Sequence, residues 1–332
     1  MKAYSKLAAA LLAVAGVGAS ATALAAEQMG VSKNEIVVGT IQDLSGPLAG
    51  FGKALRNGMQ MRVDEVNEAD GINGRKLKFV AEDSGYDPKK GLLAAQKMVQ
   101  KDKLFAMVGT IGTAVNLATF PTLFDKGVMN LFPLTAARQM YEPLEKLKFS
   151  FAAPYYGQMR IAMKWMVKER GAKKFCAIYQ DDDFGTEVLK GAEDGLKDIN
   201  MSFAEVTSFK RGATDFSAQV AKMKSADCDT VVLGTIIRET IGTIGTARKL
   251  GWNPNFVGSS AAYTDLIHKL GGKAMDGLYA MHQVAVPYAD DPSKNLRDWF
   301  AAYKAKFNED PGLFAAYGYV AMDMFVQTAK KT

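Results

Sequence analysis

Runs of strand character and stretches of helical character take turns along this chain, and the pattern starts over near its midpoint. Ile36-Val37-Val38-Gly39-Thr40-Ile41 reads as a buried strand, after which Leu55, Met59, Val63 and Val66 recur at helical spacing until Asp70-Gly71 stops the helix. Leu77-Lys78-Phe79-Val80, Phe105 to Gly109 and Val128 to Leu131 are three further strands. Asp87-Pro88 opens a helix, with Asp as the N-cap and Pro at the first helical position. After Tyr155 the strands are Phe175 to Tyr179, Ser202 to Val206, Thr230 to Gly234 and Phe256 to Gly258; Phe216, Val220 and Met223 mark the core stripe of a helix between them. Such alternation demands parallel sheets with helical crossovers, and 332 residues suffice for two of them. The expected fold class is α/β, two doubly wound, Rossmann-like lobes. The join at Ala152-Ala153-Pro154 is short and free of a Pro- or Ser-rich tether, which suits a hinge. Two doubly wound lobes facing each other leave a cleft at the carboxyl ends of both sheets, where ligands bind.

What that cleft does is narrowed by exclusion. A net charge of +6 spread along the chain gives no basic stripe for nucleic acid. Two Cys and two His leave little room for a zinc site or a disulfide scaffold. The chain carries no Walker A loop, no strand-following G-x-G-x-x-G, no H-E-x-x-H and no G-x-S-x-G. His268 and His282 have no matched nucleophile and are read as structural or surface residues. Asp181-Asp182-Asp183 ends a strand and opens a helix, where carboxylates favour the helix N-terminus over a cation. Neither a catalytic residue nor a metal or cofactor is expected. Cys176 and Cys228 belong to strands that are neighbours in a doubly wound order. An oxidising compartment permits a bridge, yet Cys176 sits inside its strand and Cys228 at an entry end, so two buried thiols are expected.

The amino terminus reads as an export signal over residues 1–25. Lys2 and Lys6 precede the apolar run Leu7 to Val17, and Ala23-Leu24-Ala25 supplies small residues where a signal peptidase cuts, after Ala25 or Ala26. The run is well short of the ~20 residues that span a bilayer. The mature protein is therefore expected in a bacterial periplasm.

Four stretches carry a family resemblance: Ile36 to Gly58 with Asp43-Leu44-Ser45-Gly46-Pro47-Leu48-Ala49; Glu82 to Pro88 followed by Met107-Val108-Gly109; Tyr179 to Gly185; and Thr214-Asp215-Phe216 with Val231 to Gly234. In order and spacing they resemble the solute-binding proteins of branched-chain amino-acid-type ABC transporters, the leucine/isoleucine/valine-binding family, over nearly all of residues 34–332. The resemblance implies a type I clamshell that closes on a small ligand and docks on a membrane permease. It also implies two chain crossings, near 152–154 and 283–287. The first lobe would then be residues 27–153 plus 284–332, and the second 154–283. The family's further strand and third crossover would lie beyond Thr332.

Carried over residue by residue, the resemblance puts Thr113 at the hydroxyl that holds a ligand carboxylate, Leu134 and Ala136 at backbone donors, and Phe51 at an aromatic wall, with the Thr135 hydroxyl close by. The threonines also suit helix capping. The second lobe departs from the pattern. Ser260 stands where amino-acid binders keep an acid for the ligand ammonium, Phe184 replaces a tyrosine, and Ile236 sits where a second aromatic is frequent. A desolvated ammonium without an anionic partner costs several kcal/mol, so a carboxylate with an apolar or aromatic body is expected, walled by Phe51, Phe184, Ile236 and Tyr155 or Tyr156. Arg238 either pairs a second anionic group or lies on the surface. Tyr86 and Gly112 occupy the positions of a family disulfide, a ring beside a glycine. The expected function is capture of a small carboxylate by a monomer for an ABC importer, without an α-amino group on the ligand. A branched-chain amino acid is the alternative ligand. A sensor module for a membrane receptor is a rival from another class, and an exported hydrolase is the weakest.

Overall fold

The computed structural model describes residues 28–332; the expected signal peptide lies outside the described residues. The first sheet is built by β1 (Glu35–Gln42), β2 (Lys76–Asp83), β3 (Ala106–Val108), β4 (Met129–Leu131) and β5 (Lys148–Phe149), joined through α1 (Ala49–Glu68), α2 (Pro88–Lys97) and α3 (Thr113–Asp125). After α4 (Tyr155–Arg170), a second sheet takes β6 (Phe175–Gln180), β7 (Phe203–Phe209), β8 (Thr230–Gly234), β9 (Asn255–Gly258) and β10 (Leu278–Ala280). Its crossovers are α5 (Asp183–Lys197), α6 (Ser217–Ser225), α7 (Arg238–Lys249) and α8 (Asp265–Gly271); α9 (Lys294–Phe307) and α10 (Leu313–Ala329) follow. The strand orders are β2-β1-β3-β4-β5 and β7-β6-β8-β9-β10, parallel throughout. Each lobe thus repeats one doubly wound order, with its switch point between the first and third strands. The short edge strands β5 and β10 have no counterpart among the strands read from sequence, because two or three residues are too few to show a period.

The turn leaving each first strand is knitted by an aspartate. Asp43 is fully buried and accepts from the Gly46 and Leu48 N–H groups at 2.5 and 2.7 Å. Asp182 accepts from Phe184 and Gly185 N–H at 3.1 and 3.2 Å, the capping role its sequence context implies. Asp87 likewise caps α2, accepting from Lys89 and Lys90 N–H.

α10 returns to the first sheet and packs on α1 with no room for side chains at the crossing. A Cβ at Gly58 would lie 2.0 Å from the Ala315 carbonyl oxygen, and one at Gly318 2.1 Å from that of Leu55. This crossing fixes where the N-terminal turn of α10 enters the cleft.

One expectation is overturned. Cys176 and Cys228 are joined in a disulfide, with Cα atoms 5.9 Å apart. β6 and β8 are neighbours in register Cys176 to Val231, and Asp227 takes a left-handed backbone (φ 54°) just before Cys228. That turn brings the entry end of β8 back beside β6, which the position of Cys228 before its strand did not convey. The bridge closes a 52-residue separation. Replacing both cysteines with alanine should lower unfolding free energy by about 2–4 kcal/mol, read as a lower urea midpoint together with a larger m, because the freed denatured chain exposes more surface. Gly318→Ala should cost about 1–3 kcal/mol, because the new methyl meets backbone and not a movable side chain; a thermal midpoint within a degree of wild type would contradict the close crossing.

Candidate functional site

The carboxyl ends of both sheets face one cavity. Nine of the ten residues read from sequence line it: Phe51, Thr113, Leu134, Thr135, Ala136, Tyr155, Phe184, Ile236 and Ser260. Arg238 does not. It is exposed at the start of α7 and lines a separate surface groove with Pro47, Gly50 and Leu266. The residue follows two buried isoleucines, and its side chain turns to solvent on the outer side of the loop.

One corner of the cavity is polar. The Thr113 and Thr135 hydroxyls are 2.6 Å apart and buried. The N-cap of α3 is Gly112, at φ 91°, and Thr113 makes no capping bond, which leaves its hydroxyl to the cavity side of the helix start. The Tyr155 phenol, its pKa raised by burial, faces the Ala136 N–H and the Thr135 hydroxyl. The Leu134 N–H is not available as the ligand donor the resemblance implied: it donates to the Thr110 carbonyl at 2.9 Å, extending the β3–β4 ladder past the strand ends. Together with the N-terminal turn of α3, the corner offers hydroxyls and oriented N–H groups to an anion without a formal positive charge.

The opposite wall is aromatic. Phe51 stacks on Phe314 with ring centroids 3.8 Å apart, and Tyr155 meets Phe184 edge-on at 5.2 Å. Tyr156, the other candidate wall residue, turns away and donates to Asp194. Phe314 and Tyr317 were not read as site residues. They sit three apart on α10, a spacing visible in the sequence, but only the glycine crossing with α1 brings that face to the cleft. Tyr263 and Gln283, from the segments after β9 and β10, were missed in the same way.

Ser260 is held in a neutral cluster. Its N–H donates to Gln158 Oε1 at 2.8 Å, and its hydroxyl accepts from Gln158 Nε2 at 3.0 Å. None of the residues lining the cavity is an Asp, Glu, Lys, Arg or His. The buried carboxylate in the first turn of α7, Glu239, is absent from the lining; burial raises its pKa. Among the described residues no group of three or more His, Cys, Asp or Glu is placed to hold a metal.

The lobes are closed on one another. Arg138, from the loop after β4, grips Glu187 of α5 with two N–H donors at 2.8 and 3.0 Å, and lies 3.9 Å over the Tyr156 ring. Arg211, after β7, pairs with Asp182, donates to the Tyr86 carbonyl at 2.6 Å and covers the Tyr86 ring. Tyr86 is buried, with φ 61°, and its ring fills the space over Gly112, as expected for that pair. Its phenol pKa is pushed up by desolvation, so it stays neutral. The cavity measures about 60 Å³, well below the few hundred Å³ of typical ligand pockets, so the walls must part for a ligand to enter.

A periplasmic binding protein profile matches residues 35–332. The chain belongs to the periplasmic binding protein family. As a periplasmic binding protein it is a solute binder and not an enzyme. Among its relatives, the leucine-, isoleucine-, valine-, threonine- and alanine-binding protein of Pseudomonas aeruginosa is 25% identical over 289 residues, covering 87% of this chain and 76% of that one. The Leu/Ile/Val-binding protein of Escherichia coli is 24% identical over 304 residues, 92% of this chain and 81% of the relative. A fatty acid ABC transporter substrate-binding protein from Thermomonospora curvata shares the fold at TM-score 0.82 and 22% identity, over 91% of this chain and 77% of that one. A substrate-binding periplasmic protein from Ralstonia solanacearum does so at TM-score 0.81 and 24% identity, over 90% and 84%.

If the two arginine clasps hold the lobes shut, the double variant Arg138→Ala/Arg211→Ala should shift the empty protein toward an open form by about tenfold or more. Small-angle scattering should then report a larger radius of gyration, and an unchanged radius would assign closure to other contacts.

Proposed function

We propose that this periplasmic binding protein captures a small carboxylate with an apolar or aromatic body and no α-amino group, and delivers it to an ABC importer. The observation that carries the proposal is a cavity with no charged side chain in its lining. An ammonium buried there has no anionic partner, at a cost of several kcal/mol. A carboxylate finds the Thr113 and Thr135 hydroxyls, the Ala136 N–H, the Tyr155 phenol and the start of α3 in one corner. The lobes are taken as 27–153 plus 284–332 and 154–283, swinging about 152–154 and 283–287 as a monomer in the periplasm. A ligand drives closure only by binding the closed form better than the open one. The alternative ligand, a branched-chain amino acid, is favoured by the names of the P. aeruginosa and E. coli relatives. It requires the ammonium to be held by hydroxyls, carbonyls and water.

The test is thermal unfolding of protein stripped by denaturation and refolding, against leucine, valine, phenylalanine, benzoate, cinnamate, short fatty acids and dicarboxylates. A ligand at a hundredfold excess over its Kd stabilises by ~2.7 kcal/mol, a shift of several degrees. Shifts with apolar or aromatic acids and none with amino acids are expected. A leading response to leucine or valine would sink the carboxylate reading and restore the amino-acid one.

A further inference from the structure

We infer that Ser260, Gln158 and Gln283 form a neutral reader for a hydroxyl group, so that the ligand class is the 2-hydroxy acids; this rests on the carboxylate reading proposed above. The argument is a count of donors and acceptors. The Gln158 amide has only one workable orientation, because its Oε1 takes the Ser260 N–H at 2.8 Å and its Nε2 donates to the Ala153 carbonyl at 2.6 Å. Its second Nε2 proton therefore goes to the Ser260 hydroxyl oxygen, 3.0 Å away. Gln283 Nε2 also approaches that oxygen, at 3.4 Å, while Gln283 Oε1 is buried with no partner.

In this arrangement both lone pairs of the Ser260 oxygen are occupied, so its proton is free to donate and Gln283 Oε1 is free to accept. Turning the Gln283 amide over exchanges the roles: Ser260 donates to Oε1, a Ser260 lone pair is freed, and Nε2 becomes the free donor. Either way the cluster keeps a free acceptor beside free donors, the second Gln283 Nε2 proton among them, and no charge. A hydroxyl satisfies the acceptor and a donor at once. A keto oxygen accepts but leaves the free acceptor unpaired. An ammonium leaves the free donors unpaired and adds a charge with no counterion. Ser260 and Gln283 line the same cavity of about 60 Å³ as Thr113, Thr135 and Ala136. One small ligand therefore meets both groups, and the shortest acid that does so carries its hydroxyl on the carbon next to the carboxylate.

Isothermal titration of the stripped protein with one carbon skeleton varied at a single group tests this: both enantiomers of 2-hydroxy-4-methylpentanoate, 2-oxo-4-methylpentanoate, 4-methylpentanoate and leucine. One hydroxy enantiomer should bind about tenfold or more tighter than the unsubstituted and keto acids, the worth of two net hydrogen bonds, with leucine weaker again. Ser260→Ala and Gln283→Met should each pull the hydroxy-to-unsubstituted ratio toward one. If the unsubstituted or keto acid binds as tightly as either hydroxy acid, the hydroxyl reader is wrong and the carboxylate reading stands. If leucine binds tightest, both fail; if no member binds, the hydroxyl reader fails and the carboxylate reading rests on the aromatic acids. A ratio that survives both substitutions also overturns the assignment, and the wild-type series decides the matter should either variant not fold.

Discussion

Every part of the cleft depends on one geometric constraint: a parallel strand followed by a crossover helix delivers that helix's N-terminus to the carboxyl edge of its sheet. Applied twice with the same strand order, the constraint produces two edges rich in unpaired N–H groups and short polar loops, and facing them together yields one site. The first edge contributes Gly112, Thr113, Thr135 and Ala136; the second contributes Phe184, Ile236 and Ser260. The two edges are not equivalent. Hydroxyls and N–H groups collect on the first, whereas the second supplies an apolar wall and an amide-bound serine. That asymmetry gives the cavity a head and a tail, although no formal charge marks either end.

Rigid turns make the asymmetry usable. Asp43 and Asp182 do equivalent work in the two lobes, each gathering the N–H groups of the turn that leaves its first strand. The close passage of α10 over α1 adds Phe314 and Tyr317 from a helix that is remote in sequence from the rest of the wall. At the opposite end of the second sheet the Cys176–Cys228 bridge ties neighbouring strands together. The loops that carry Phe184 and Ile236 therefore follow strands tied together at their far ends.

The sheets, their order and most of the site were legible in the sequence because strand-end loops carry their chemistry locally. Thr113, Thr135 and Ser260 lie two to five residues past a strand, and the strands announce themselves by apolar runs. What could not be read depended on contacts between distant segments. Phe314 and Tyr317 look like ordinary core residues until the Gly58 and Gly318 crossing orients them. The disulfide hinges on the backbone turn at Asp227, and the occupied N–H of Leu134 on a ladder extended beyond the formal strands. Arg238 takes the surface alternative for the converse reason: its place after Gly234 gave the loop, and the direction of its side chain is set by the helix it opens.

The arginine clasps have a thermodynamic side. Arg138 and Arg211 join the lobes from outside the cavity lining, although the Tyr86 ring that Arg211 covers belongs to it; contacts that do not meet the solute favour the shut protein equally whether it is laden or empty. Strengthening them improves apparent affinity only while the empty protein is mostly open. Past that point the gain in the bound state is cancelled by the same gain in the unbound one, and the surplus appears as vacant, shut molecules that compete with laden ones for any partner that recognises the shut shape. Clasp strength is thus bounded on both sides, and arginines outside the cavity lining set where discrimination between full and empty carriers is greatest.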